Sequence, residues 1–458
     1  MSPGSHDSPV FCYNNRELQN VNPLGIPMEF MLKENQLLRS AQIGTSSAAV
    51  QRIRNGPNSA WLARLLVLFC CWAGVAAADA GDFTYTSAAG EITITGYTGV
   101  GGAVTIPGTI DSLPVTRIGD FAFYCLLNIT SVEIPSGVVS IGKSVFATSS
   151  KLTSVTIPST VTDIGERAFG STGLVSLNIP SGVISLGTQA FSSCPALANI
   201  TIPASVTSMG TEMFQNCPGL TSATIHANVT NLGSNAFDGC TSLTSVILPS
   251  SLTGLGDYLF YNCAKLTSVT IPAGVTTIGT GAFDGCRLLP VITIPADVIS
   301  IGNYAFQGCR SLENLTLLGG VQTVGYYAFS GCLTLAAVNF PAGLTGIGDY
   351  AFSYCRALTS VSLPAGVIRI DSYAFFSCTS LTDVAIPASV TTIGVAAFAR
   401  CSQITNIVVE DANPKYRSVD GVLYDKAMTR LVQYPGARAG SFIIPEGVTA
   451  IDTEAFNS

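Results

Sequence analysis

LTSVTIPAGVTTIGTGAFDGC, from Leu266 to Cys286, decides the fold, because it recurs with little change from about residue 129 to residue 401. Its most regular mark is a phenylalanine, found at 123, 146, 169, 191, 214, 237, 260, 283, 306, 329, 352, 375, 398 and 456. Apart from one step of 22 and a last step of 58, the spacing is 23. A fixed period of this length is the signature of stacked repeats, and it must be read before any local motif.

Each part of the period has a physical task. Val269 and Ile271 alternate with Ser268 and Thr270, so a short strand turns β-branched side chains inward and hydroxyls outward. Pro272 follows, removes a backbone donor and ends regular pairing. Val275 and Ile278 re-enter the core, Gly279 supplies a turn, and Ala282-Phe283 sets a large ring inside. One such unit cannot bury its own apolar edge, whereas a stack shares one core. The expected architecture is a repeat solenoid of about fourteen 23-residue coils, each with short parallel strands and a turn or short helix. At about 4.8 Å per coil the stack is roughly 65 Å long.

The motif resembles the BspA-like, treponemal-type class of leucine-rich repeats, on the Pro, Gly, Ala-Phe and Cys positions that recur in register, and the likeness runs from about Phe83 to Ser458. The resemblance implies a secreted or cell-surface protein, in some members an adhesin for host extracellular proteins. It names no ligand, since one fold hosts many functions.

Composition narrows the classes of partner. With 47% hydrophobic and 11% charged residues the chain can bury a large core, and its polar surface is mostly hydroxyl. A net charge of −7 with no basic stripe argues against nucleic acid, which needs clustered Lys and Arg. Only His6 and His226 exist, too few for a zinc site or a His-dependent triad. No cofactor, metal or catalytic residue is expected. Asp257, Asp284, Asp349 and Asp371 fall beside the Phe turns, where a solvated carboxylate is the ordinary occupant.

The stretch WLARLLVLFCCWAGVAAA, Trp61 to Ala78, has basic residues before it and small ones after it. That is the grammar of a cleaved signal peptide, over 61–80. Residues 1–60 read as an unstructured leader, with translation expected to start shortly before Arg52 and no membrane span left in the mature chain. Residues 81–118 read as an N-terminal β cap, with a hairpin about Ala88-Ala89-Gly90, and 119–458 as the solenoid. The step of 58 contains an insert, 410–440, expected as a hairpin with strands Val419 to Tyr424 and Leu431 to Tyr434. Two residues follow Phe456, so either the insert covers the last coil or the natural protein is longer.

Ten cysteines, at 194, 217, 240, 263, 286, 309, 332, 355, 378 and 401, fall one per coil. They read as a column of free buried thiols, because identical neighbours offer no pairing rule. His226 replaces a strand-ending proline and reads as a tolerated deviation.

Two places stand out for binding. The outward strand position carries Thr156, Asn178, Thr201, Thr224, Thr270, Thr293, Thr316, Asn339 and Ser362, interrupted by Ile247 and Ala385. Such a file can hydrogen-bond a repetitive ligand, although Thr is also simply the best polar residue for a solvated strand. The insert concentrates charge at Lys415, Arg417, Asp420, Lys426 and Arg430. The leading reading is an exported, non-enzymatic module binding an extracellular protein or glycan. The alternatives are a structural surface-layer component and a polysaccharide-active enzyme.

Overall fold

The computed structural model describes residues 80–457. The leader at 1–60 and, except for Ala80, the signal peptide at 61–80 therefore lie outside the described residues. What is described is a β-solenoid of about sixteen turns with a period near 23 residues.

Each coil contributes to two files of parallel strands. In the first, Ala337–Asn339, Ser360–Ser362 and Asp383–Ile386 pair in register, Val338 opposite Val361 and Val361 opposite Val384. In the second, Thr277–Ile278, Ser300–Ile301 and Thr323–Val324 do the same. In these strands valine and isoleucine point inward, so the register stacks one apolar side chain on the next.

The segment around each phenylalanine forms the third edge. No α-helix occurs among the described residues, and one 3-10 turn at Ala80–Asp82 is the nearest thing to one. Of the turn or short helix expected in each coil, it is the turn that forms. The backbone explains why: the residues two before and two after the ring are left-handed, as at Tyr258 (φ 56°) and Asn262 (φ 56°). A right-handed helix cannot pass through such positions. These turns still bond from coil to coil, Phe146 N to Ala168 O at 2.8 Å and Phe169 N to Ala190 O at 2.9 Å.

The rings stack from Phe123 to Phe398, with centroids 4.9 Å apart at the closest pair and 5.7 Å at the widest. Phe456 stands outside this stack, 44% exposed, against Tyr434 and Phe442. Counting rings gives fourteen coils, but the cap strand Glu91–Tyr97 and the insert strand Arg430–Gln433 each pair in parallel as a further turn without a core phenylalanine.

At the N-terminal end Phe83–Ala88 folds back antiparallel on Glu91–Tyr97 through Ala89 and Gly90, both at positive φ. Tyr97 then stacks on Phe123 at 5.5 Å and covers the first core ring. The insertion around Asp111 to Pro114 makes a second tight turn, Ile110 opposite Leu113. The C-terminal insert departs from expectation. The expected strand Val419 to Tyr424 is broken by a turn at Asp420 and Gly421, both left-handed, so Tyr416–Val419, Val422–Asp425 and Arg430–Gln433 form a three-stranded meander. An Asp-Gly pair is the usual two-residue hairpin turn.

The thiol column has a bonding role. Each of the ten column cysteines is free and buried. Each thiol donates to the carbonyl of the preceding coil's phenylalanine, for instance Cys309 Sγ to Phe283 O at 3.2 Å and Cys355 Sγ to Phe329 O at 3.2 Å. Ser149 fills the same place nearer the N-terminus, its Oγ 3.0 Å from Phe123 O. The column therefore requires a small donor. Burial pushes the thiols of Cys263, Cys286 and Cys332 well up, which leaves little reactive thiolate. We expect an uncharged maleimide to label the column only after unfolding. Labelling of the native column, or a mass two hydrogens lighter per cysteine pair, would refute this.

Candidate binding surfaces

The candidate strand file is in register on one face: Thr201 lies opposite Thr224, Thr293 opposite Thr316, and Asn339 opposite Ser362. All nine residues are exposed except Thr224, which is half-buried. The threonines flanking this file spend their hydroxyls on the protein. Thr221 Oγ1 donates to Ala198 O at 3.0 Å, Thr244 Oγ1 to Thr221 O at 3.0 Å and Thr267 Oγ1 to Thr244 O at 3.2 Å. Among the described residues the nine file side chains have no such partner, so their hydrogen-bonding capacity faces outward.

The sheet breaks twice inside this file, at the Asn178 coil between Ser154–Thr156 and Asn199–Ile202, and again between Ser268–Val269 and Val291–Ile294. Thr267 N bonds back to Thr244 O at 3.0 Å, but the next coil has Pro290 at that position and no donor. A depression of about 380 Å³ opens there, with Thr270 and Thr293 in its lining. His226 is exposed, and its backbone N–H donates to Ile202 O at 2.9 Å, a bond its neighbours' prolines cannot make.

The insert forms a more localised site. A cleft of about 410 Å³ lies where it meets the solenoid, lined among others by Thr391, Lys415, Tyr416, Asp425, Lys426 and Arg430. Three of the five charged insert residues singled out in the sequence thus converge; Arg417 and Asp420 do not line the cleft.

Asn413 fixes the base of the insert. Buried, it donates through Nδ2 to Pro387 O at 2.9 Å and Val390 O at 3.0 Å, and its Oδ1 accepts from Lys415 N and Tyr416 N, both at 2.8 Å. Tyr416 adds an anchor by accepting Ile393 N on its hydroxyl at 2.8 Å. Asp425 ties off the turn: Thr429 N, Thr429 Oγ1 and Arg430 N all donate to it. Burial opposes its charge, but these bonds outweigh burial and hold the carboxyl below its ordinary value. Arg430 reaches Asp452 at 3.6 Å and Lys426 Nζ donates to Asp411 O at 3.0 Å. Lys415 Nζ has no partner among the described residues.

The turn carboxylates are not alike. Asp257 accepts Thr280 N at 2.7 Å, Asp349 accepts Ser372 N at 2.8 Å, and Asp371 faces Arg369 at 3.6 Å. The Asp284 carboxylate has no partner among the described residues, and burial raises its pKa from 3.8 to about 6. Between these values the folded chain holds a proton that the unfolded chain has released, so stability falls as pH rises. Allowing for partial solvent screening, Asp284→Asn is expected to add about 1 to 2 kcal/mol at pH 7 and nothing at pH 4. Thermal unfolding at both pH values checks this; equal shifts would show that the charge is not the cause.

These features define a leucine-rich-repeat solenoid with no α-helix among the described residues. The sequence pattern of the BspA type leucine rich repeat region matches over residues 116–244, 213–335 and 299–418, and the chain belongs to that family. A leucine-rich repeat protein from Bacteroides ovatus is 29% identical, covering 71% of this chain and 92% of its own, with a TM-score of 0.59. A leucine rich cell surface protein from Faecalibacterium prausnitzii is 31% identical over 73% of this chain and 94% of its own, with a TM-score of 0.46. One from Eubacterium ventriosum is 28% identical over 75% and 98%, with a TM-score of 0.48. No curated protein matches in sequence. Among the described residues no helix is long and apolar enough to cross a membrane.

Proposed function

We propose that the chain is an exported, non-enzymatic surface protein that binds an extracellular ligand, with anionic groups of that ligand seated in the insert cleft. The observation that carries this reading is the convergence of Lys415, Lys426 and Arg430 on one cleft in a chain of net charge −7. Cations gathered against the prevailing charge favour an anionic ligand, both in the approach and in the bound state. A carboxylated or sulfated glycan fits such a site, because its charges recur along an extended polymer. The signal-like stretch at 61–80 supports export, and the name of the Faecalibacterium relative, a cell surface protein, supports the location. The strand file, with its free hydroxyls, offers a second length of surface to the same polymer.

The test is binding of the full chain to immobilised sulfated and uronic-acid glycans and their uncharged counterparts. We expect salt-sensitive binding to the charged set, weakened at least about tenfold by the combined changes Lys415→Ala, Lys426→Ala and Arg430→Ala. Equal binding of charged and uncharged glycans, or none at all, would overturn the reading.

A further inference from the structure

The turn edge carries rings that the repeat does not require. Two residues before the core phenylalanine stand Tyr258, Tyr304, Tyr327, Tyr350 and Tyr373, interrupted by Gly281. Earlier coils place Arg167, Gln189, Glu212 and Asn235 at the same point, so the backbone accepts almost any side chain there. From Tyr304 onward the rings stack, with centroids 5.4, 4.6 and 4.6 Å apart.

The interruption is the informative place. Gly281 is buried, and a Cβ there would meet Tyr258 ring carbons at 2.6 Å, so the Tyr258 ring lies across the missing side chain. Tyr261 meets Tyr258 edge-on at 5.7 Å, and Tyr326 meets Tyr304 edge-on at 4.6 Å. In this coil Asp284 follows the core ring, where the adjoining coils carry Tyr261 and Gln307. The Tyr258 hydroxyl is held above its ordinary pKa by burial first, and then by the nearby negative charges of Asp257 and, more weakly, Asp284. Among the described residues the Asp284 carboxylate has neither an ion pair nor a hydrogen bond, and the ion pairs that do form lie elsewhere.

We propose that Asp284, with Tyr258, Tyr261, Tyr304 and Tyr326, forms a binding site for an alkylammonium cation, either a quaternary amine or the side chain of a lysine. A half-buried carboxylate without a partner is costly, and a bound cation relieves that cost. Aromatic rings favour large, weakly hydrated cations over small hard ones. A hard metal ion would instead need several oxygen ligands, and no group of three His, Cys, Asp or Glu among the described residues is arranged to hold one. The site shares no residue with the insert cleft and takes the opposite charge, so either can fail without the other. Because Asp284 titrates near pH 6, its affinity for a cation falls as the pH drops from 7 to 5.

The test is calorimetric titration of the full chain with choline chloride, with N-acetyl-lysine amide, and with 3,3-dimethylbutanol, the uncharged isostere of choline. We expect at least one of the two cations to bind about tenfold or more tightly than the alcohol, and Asp284→Asn to remove most of that advantage. Tyr304→Leu should weaken the cation similarly, while Asp297→Asn, on another turn, leaves it unchanged. Asp284→Asn keeps the side-chain shape, so its fold can be verified by thermal unfolding. Choline binding without lysine binding assigns a quaternary amine; the reverse assigns a protein side chain. Binding of the alcohol as tight as that of both cations, a cation affinity unchanged in Asp284→Asn, or no heat from either cation up to about 10 mM would overturn the proposal.

Discussion

Replacing Phe306 by alanine is expected to lower the unfolding free energy by about 3 to 5 kcal/mol and to split the unfolding curve. The ring is fully buried and lies 4.9 Å from Phe283 and 5.1 Å from Phe329, nearly parallel to both. Truncation removes one buried side chain and two aromatic contacts, each contributing about 0.5 to 1.5 kcal/mol beyond area. Position matters as much as size. A coil touches only its neighbours, so damage at one coil weakens both of its interfaces and uncouples the two halves. Denaturant unfolding followed by hydrogen exchange would resolve two transitions. A single transition displaced by less than about 1 kcal/mol would show that the stack is not the cooperative spine.

Asn413→Ala is expected to release the insert at a cost of about 3 kcal/mol or more. All four bonds of this buried side chain go to backbone, two in the preceding coil and two at the start of the meander. Alanine leaves those donors and acceptors in a site too closed for full hydration. The loss should be local: amides of 416–433 exchange faster while the coil ladder from Asn314 to Ile393 keeps its protection. Limited proteolysis should cut within the insert first. Unchanged exchange across 416–433 would show that the hydrophobic contacts of Val422, Tyr424 and Leu431 suffice to hold it.

Much of this architecture was legible because a repeat averages out local ambiguity. A Val-x-Ile alternation in one coil is weak; the same alternation at a constant step, with a ring and a thiol in fixed places, leaves few folds open. What stayed hidden falls into two kinds. Some signals were present but unread: Asp420-Gly421 marks a hairpin turn, Pro290 marks one break in the strand file, and the tyrosines at 304, 327, 350 and 373 share the period of the core rings. Others do not exist in one dimension. That Cys309 donates to Phe283 depends on the coil rise, and that Lys415 meets Arg430 across a cleft depends on the path of the meander. The isolation of Asp284 is likewise a property of what surrounds it, since Asp238 stands at the same place in its own repeat and accepts from Gln215 Nε2 at 2.9 Å.

The direction of the amide bonds carries a last consequence. Along the turn edge donors point to the following coil, as from Phe123 N to Val145 O, whereas beside the second strand file they point to the preceding one, as from Gly142 N to Ile118 O. Peptide dipoles aligned along one axis sum to a field at the ends, as in an α-helix. Here the donors beside the first strand file also point back, as from Thr153 N to Thr130 O, so the turn edge opposes the two strand edges and adding a coil adds little net polarity. Coil number is therefore electrostatically nearly neutral, and duplication or loss of one 23-residue unit can change the reach of the molecule without disturbing its ends.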